Sequence, residues 1–304
     1  MIEEKSKIET ADLWQYVEKH KPQIEESLQK FLPLAPPQIE TKFNEAVRYA
    51  LFSGGKRLRP VLTLLGAELF GGKPETIFPV AAAAEFIHTS SLIFDDLPCM
   101  DYAGERRGNA SVHAKFGEGL AVLVAIGFLN AAYGLVFVNH LNAPERAIRA
   151  HAEIVECVGA SGMLGGQSLD LALAKSATLN NFLKADFKLE SIKNLKTSAL
   201  MLLSLRVGAI LSGAQNTELA HLSHFAELLG DAYQLGDDLI DLREDKEIFG
   251  ENKTFAINQG KSAAKNQLKI LTEQAKLVLI ENFPASEARD CLVQLTNYLA
   301  DRKT

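Results

Sequence analysis

The sequence predicts an all-α fold: a single-domain bundle of about ten or more helices, spanning residues 1–304, around a central cavity. Three observations carry this. Apolar residues recur at helical spacing along most of the chain. No stretch shows strict apolar/polar alternation. The breaks between apolar segments are short and rich in Gly and Pro.

The elements follow in order. Asp12 to Phe31 carries Leu13, Val17, Ile24 and Leu28 on one face and stops at Pro33, Pro36 and Pro37. A second helix runs from about Gln38 to Phe52 and ends at Gly54-Gly55. A third follows Pro60. A fourth, rich in alanine, runs from Glu75 towards Asp96. Leu120 to Val138 is apolar almost throughout and long enough to span a bilayer. Asn130 and two glycines interrupt it and no basic cluster flanks it, so it reads as a central buried helix, with no stable membrane insertion. Further helices are expected near Glu145–Asp170, Leu189–Ser212, Glu218–Glu244, Ser262–Asn282 and Ala285–Asp301.

Composition narrows the function. The 32 Lys+Arg and 38 Asp+Glu give a net charge of −6, which argues against nucleic-acid binding while leaving room for a local anion pocket. Three cysteines, Cys99, Cys157 and Cys291, form no CxxC pair, so neither a disulfide framework nor a zinc site is expected, and a reducing, cytoplasmic location fits. The N-terminus is charged and lacks the apolar run of a signal peptide.

Two acidic clusters interrupt apolar helix faces: Asp95-Asp96-Leu-Pro-Cys-Met-Asp101 and Asp237-Asp238-Leu-Ile-Asp241. Asp237 and Asp241 are four residues apart and share one helix face. Carboxylates packed among apolar residues need a compensating cation. With no His or Cys beside them, they suit Mg²⁺, which bridges carboxylates to phosphate oxygens. The clusters therefore predict a phosphorylated ligand.

Basic residues complete that reading. Ser53-Gly-Gly-Lys-Arg-Leu-Arg-Pro60 places Lys56, Arg57 and Arg59 at a helix start, where the N-terminus itself favours an anion. Arg106-Arg107-Gly108 follows the first acidic cluster, and arginine suits bidentate phosphate recognition. Lys196-Thr197 opens an apolar stretch, and Lys253-Thr254 follows the second acidic cluster. His88 lies seven residues before Asp95, on nearly the same helix face.

Together these elements resemble the trans-polyprenyl diphosphate synthase family, which includes farnesyl and geranylgeranyl diphosphate synthases. The two aspartate motifs, in this order and with Gly-Gly-Lys-Arg-Leu-Arg-Pro upstream, carry the resemblance. Four residues between Asp96 and Asp101 look like the bacterial farnesyl and plant-type geranylgeranyl branches.

The resemblance implies an isoprenoid synthase-like bundle, a homodimer, and a small-molecule diphosphate chemistry: isopentenyl diphosphate condenses with an allylic diphosphate to give farnesyl (C15) or geranylgeranyl (C20) diphosphate. By motif match it implies that Asp95, Asp101, Asp237 and Asp241 hold Mg²⁺, more than one ion, on the allylic diphosphate. Asp96 and Asp238 stand beside them in the catalytic set, with Lys196. Arg106, Lys196, Thr197, Gln234 and Lys253 would line the allylic site. Lys56, Arg59, His88 and Arg107 would bind isopentenyl diphosphate. Gln167 and Asp170, in Gly165-Gly-Gln-Ser-Leu-Asp170, match a further family motif and are expected near the active site.

The resemblance implies that product length depends on the cavity above the first motif. Ser90 and Ser91 lie five and four residues before Asp95, roughly 6–7.5 Å along the helix. A small Ser90 leaves room for a longer product, unless another side chain such as Phe86 floors the cavity.

The chain departs from the family pattern at several points. Phe94 stands where His is common, Tyr102-Ala103-Gly104 replaces an acidic run, and Asn109-Ala110 replaces Lys-Pro. Ile126 takes the place of Gly-Asp, and Glu251 stands where another lysine is usual. Two other readings compete, a terpene cyclase and a non-catalytic regulatory subunit on the same scaffold. Lys56, Arg59 and Arg107 favour the synthase, because a cyclase needs no isopentenyl diphosphate site. Asp95, Asp101, Asp237 and Asp241 disfavour a silent subunit.

Overall fold

The computed structural model describes residues 12–175, 197–240 and 260–300; the side chains of 173–175 and of Thr197 lie outside that description. The described residues form twelve helices and one very short hairpin. In chain order these are α1 (Leu13–Lys30), α2 (Phe43–Phe52), α3 (Leu58–Glu68), α4 (Pro74–Asp95), β1 (Glu105–Arg106), β2 (Asn109–Ala110), α5 (Val112–Phe116), α6 (Glu118–Leu135), α7 (Pro144–Val158), α8 (Met163–Lys175), α9 (Thr197–Leu211), α10 (Asn216–Ile240), α11 (Lys261–Asn282) and α12 (Glu287–Ala300). The all-α expectation holds.

Local chemistry sets the helix starts. The Asp12 carboxylate accepts the Trp14 N–H at 2.9 Å and caps α1. Pro74 and Pro144 occupy first turns, where their missing N–H costs nothing. The expected helix over 145–170 is instead two, α7 and α8. The break falls at Gly159, whose N–H caps the Val155 carbonyl.

The middle of the bundle is α3, α4 and α9, which pack on one another; α6 covers α4, and α10 covers α9. α3 and α9 touch backbone to backbone. A Cβ on Gly66 would run into the Leu205 carbonyl, and one on Gly208 into the Thr63 carbonyl. Phe86 on α4 and Phe128 on α6 are fully buried, with ring centroids 5.2 Å apart. Truncating either to Ala costs about 3–5 kcal/mol in transfer and cavity energy. Arg206 on α9 forks onto Glu153 on α7, with Nε–Oε2 at 2.8 Å.

The apolar helix near 120–138 differs from expectation. α4 is mostly buried, but only 33% of the most apolar window of α6 is. Ala121, Val124, Ala125, Phe128, Ala132 and Leu135 face inward at helical spacing, whereas Leu123 (56%) and Ile126 (50%) stand in the open. α6 is apolar on both faces, but among the described residues its outer face, with Leu123 and Ile126, is left exposed.

The first and last described helices meet. α1 and α12 pack together and both rest on α3. The Leu13 N–H donates to Gln294 Oε1 at 2.8 Å, across 281 residues.

Candidate active site

The first acidic cluster sits at the C-terminal end of α4. Asp95 is the last helical residue and Asp96 the cap. The chain then turns back, and the Asp101 N–H donates to the Asp95 carbonyl at 2.9 Å. A helix C-terminus carries partial negative charge, so carboxylates there are disfavoured until a cation joins them. An all-oxygen donor set suits a hard divalent ion. Asp95 and Asp101 are therefore fit to hold one.

Asp96 is otherwise engaged. It is only 3% exposed, and Arg106 grips both its oxygens, Nε at 2.8 and 2.9 Å and Nη2 at 2.6 Å from Oδ1. This hydrogen-bonded partner also holds Arg106 more firmly protonated. Arg106 reaches Asp96 because of the hairpin, in which Arg106 pairs with Asn109 and the loop residues are Arg107 and Gly108. Their φ values of 55° and 75° have the sign pattern of a primed two-residue turn. No alternation at 105–110 announced this element, since two-residue strands are too short to show one.

Around Lys56–Arg59 the basic residues separate by partner. Arg57, 5% exposed, caps α3 in a left-handed conformation. It binds Glu25 on α1 at 2.7 Å, Glu85 on α4 at 3.0 Å and the Leu51 carbonyl at 2.9 Å. Its charge is spent inside the protein. Arg107 Nη1 donates to the Gly54 carbonyl at 2.5 Å. Gly55 makes room for that guanidinium: a Cβ there would come within 2.9 Å of Nη1, at a φ of +139° that side chains rarely adopt.

Two cavities flank these residues. One, of about 580 Å³, is lined by Lys56, Arg59, His88, Arg107 and Tyr233 and closed by side chains of α1 and α12. The other, of about 340 Å³, is mainly apolar, with Ser90, Phe94, Leu129, Met163 and Leu200 on its walls and Asp95, Met100 and Gln167 among its lining. Arg59 and His88 line both. Three buried polar atoms bordering these spaces, Arg59 Nε, His88 Nδ1 and Gln167 Oε1, have no hydrogen-bond partner among the described residues. Unmet buried polar atoms beside a cavity mark where a ligand would bond. Burial, then the charges of Arg59, Arg107, Arg106 and Arg57, push the His88 imidazole well below the usual histidine range, so it is neutral at physiological pH.

The chain-length candidates divide. Ser90 is fully buried, borders the apolar cavity, and donates to the Ala125 carbonyl at 3.0 Å. Ser91 borders it too and donates to the His88 carbonyl at 2.9 Å. Phe86, one turn further from Asp95, packs on Phe128 and is not among the lining residues.

The second acidic cluster is only partly described. Asp237 is half-buried and Asp238 buried near the end of described α10; Gln234 donates to Asp238 Oδ1 at 3.1 Å. Asp170 is half-buried on α8, three residues beyond Gln167. Asp241, Lys196, Lys253, Glu251 and the Thr197 side chain lie outside the described residues. Among the described residues no three carboxylate, imidazole or thiol groups gather closely enough to hold a metal ion.

Comparison with known proteins identifies the family. A family model described as polyprenyl synthetase matches residues 40–293. Geranylgeranyl pyrophosphate synthase 12 (chloroplastic) of Arabidopsis thaliana is 42% identical over 218 residues, 71% of this chain and 60% of that protein. Geranylgeranyl pyrophosphate synthase 3 (chloroplastic) of the same plant is 36% identical over 290 residues, 92% of this chain and 78% of that protein. Among solved structures, an FPP/GFPP synthase from Zymomonas mobilis superposes with a TM-score of 0.82 at 33% identity, covering 95% of this chain and 98% of that one. The chain thus spans 60% of the length of the first of these relatives and nearly all of the bacterial structure. With its acidic helix end, its basic loop and a family match running from α2 into α12, the chain belongs to the polyprenyl synthetase family.

Proposed function

We propose that the chain is a short-chain trans-prenyltransferase that condenses isopentenyl diphosphate with an allylic diphosphate to give a C15 or C20 product. One observation carries this reading: a basic cavity and an apolar cavity share a wall made of Arg59 and His88. A reaction joining two diphosphates through their hydrocarbon parts needs two anion sites and one dry hydrocarbon chamber.

Divalent-metal dependence is general in this family. When bound, Mg²⁺ supplies charge neutralisation for a departing diphosphate. Asp95, Asp101, Asp237 and Asp241 are the residues that would hold it, more than one ion being expected. Arg106, Lys196, Thr197, Gln234 and Lys253 would orient the allylic diphosphate, and Lys56, Arg59, His88 and Arg107 the isopentenyl diphosphate. The allylic carbon–oxygen bond breaks, the isopentenyl double bond attacks the cationic carbon, and a proton leaves to the released diphosphate. The apolar walls keep water from the cation. Ser90 on the wall favours the longer product.

The open apolar face of α6, with Leu123 and Ile126, supports a homodimer, which sedimentation of the purified protein tests. The free thiols Cys99, Cys157 and Cys291 support a reducing compartment such as the cytoplasm.

The test is a mass-resolved product assay with Mg²⁺, isopentenyl diphosphate, and dimethylallyl, geranyl or farnesyl diphosphate as primer. Elongation to C15 or C20 is the expected result. No elongation of any primer by the folded, metal-supplied protein overturns the reading.

A further inference from the structure

The basic residues of the 580 Å³ cavity differ in what holds them. Arg57 is held by the carboxylates of Glu25 and Glu85, and Arg106, at the neighbouring helix end, by that of Asp96. Arg107 and Lys56 are held by neutral oxygens instead: Arg107 by the Gly54 carbonyl, and Lys56 by the hydroxyl of Tyr298, to which its Nζ donates at 3.1 Å. A carboxylate partner cancels a cation; a neutral acceptor fixes its position and leaves its charge to a ligand.

Tyr298 is on α12, 242 residues from Lys56. Its ring meets the Trp14 ring of α1 edge-on, centroids 5.1 Å apart at 82°, and the Lys56 ammonium also lies 5.6 Å from its ring centroid. Trp14, Lys56 and Tyr298 all line the cavity that Arg59, His88 and Arg107 line. Lysine carries large rotamer entropy, and a prearranged donor loses less of it when a ligand arrives. Of the three ammonium protons the tyrosine oxygen takes one, leaving two for phosphate oxygens.

We propose that Tyr298, braced by Trp14, is a positioning residue for the second substrate: it holds Lys56 at the rim of the basic cavity, ready for the diphosphate of isopentenyl diphosphate. This rests on the prenyl-transfer reading. It also gives α1 and α12 a part in substrate binding, beyond closing the bundle.

Tyr298→Phe tests it, since the variant keeps the ring on Trp14 and removes only the hydroxyl. The expected result is a KM for isopentenyl diphosphate raised about five- to tenfold. The kcat, the KM for the allylic primer and the melting temperature should stay near wild type. In a Lys56→Ala background the same change should add nothing. An unchanged KM in Tyr298→Phe, or an equal loss with and without Lys56, overturns the proposal while wild-type elongation keeps the activity intact. If kcat, both KM values and the melting temperature move together, the contact is a structural clip and the proposal fails. A wild-type protein that elongates no primer takes down the prenyl-transfer reading and this inference with it.

Discussion

Arg106 and Asp96 form a forked ion pair at the end of α4, with Nη2 and Oδ1 2.6 Å apart and the carboxylate almost wholly out of solvent. The pair fastens the hairpin to the helix that carries the first acidic cluster. Removing the arginine leaves a buried carboxylate alone, which is costlier than the pair itself is stabilising. Arg106→Ala should lower stability by about 2–3 kcal/mol, the guanidinium's partial exposure keeping the loss below that of a fully buried pair. Adding Asp96→Asn should restore part of that loss. Urea unfolding of the two single variants and the double variant measures the coupling.

Asp95→Ala should abolish turnover and leave the fold intact. Asp95 is the final residue of α4 and is only half-buried. Circular dichroism reports the fold, and the product assay reports the loss. Turnover within tenfold of wild type would remove Asp95 from the set of metal-holding residues.

Ser90→Phe should shorten the product. The serine lies on the wall of the apolar cavity, roughly 7.5 Å along α4 from Asp95 at the standard helical rise. A phenyl ring there would fill space that the growing chain needs. Mass spectrometry of the products should show a shift towards a chain at least one five-carbon unit shorter. Overpacking of a tight wall costs about 1–3 kcal/mol, so the melting temperature is measured alongside.

Glu68 gives a pH dependence of stability. Burial, then the carboxylates of Glu287 and Glu75, raise its pKa from 4.5 to about 6, while Tyr16 and Lys19 pull the other way. A carboxyl that keeps its proton better in the folded state contributes stability below its unfolded pKa. That contribution is lost as pH rises through the folded value. Glu68→Gln should therefore match wild type below about pH 4.5 and become the more stable of the two above about pH 6, by thermal unfolding across that range.

Much of this arrangement is legible in the sequence. α1, α4, α10 and α11 lie close to where apolar spacing and helix-ending residues put them: α1, α10 and α11 bury a stripe, and α4 is buried nearly all round. Arg59, His88 and Arg107 line one cavity. What stayed hidden depends on distance along the chain. Nothing local to Trp14 or Tyr298 signals a cavity wall, and their contact joins opposite ends of the sequence. The carboxylate partners of Arg57, on α1 and α4, are equally invisible, so a buried strut looks in sequence like its ligand-facing neighbours. α6 misled for another reason: composition reports how apolar a helix is, but not how many of its sides have neighbours.

The 281-residue separation of Leu13 and Gln294 has a consequence for how the protein is made. On a ribosome adding roughly 5–20 residues per second, α3 and α4 emerge early to pack on α1, but the Leu13 N–H waits about 14 to 56 s for Gln294. During that interval the Leu13 end of α1 lacks its α12 partner. A chaperone that shields this end until α12 emerges would protect a contact that local pairing cannot accelerate.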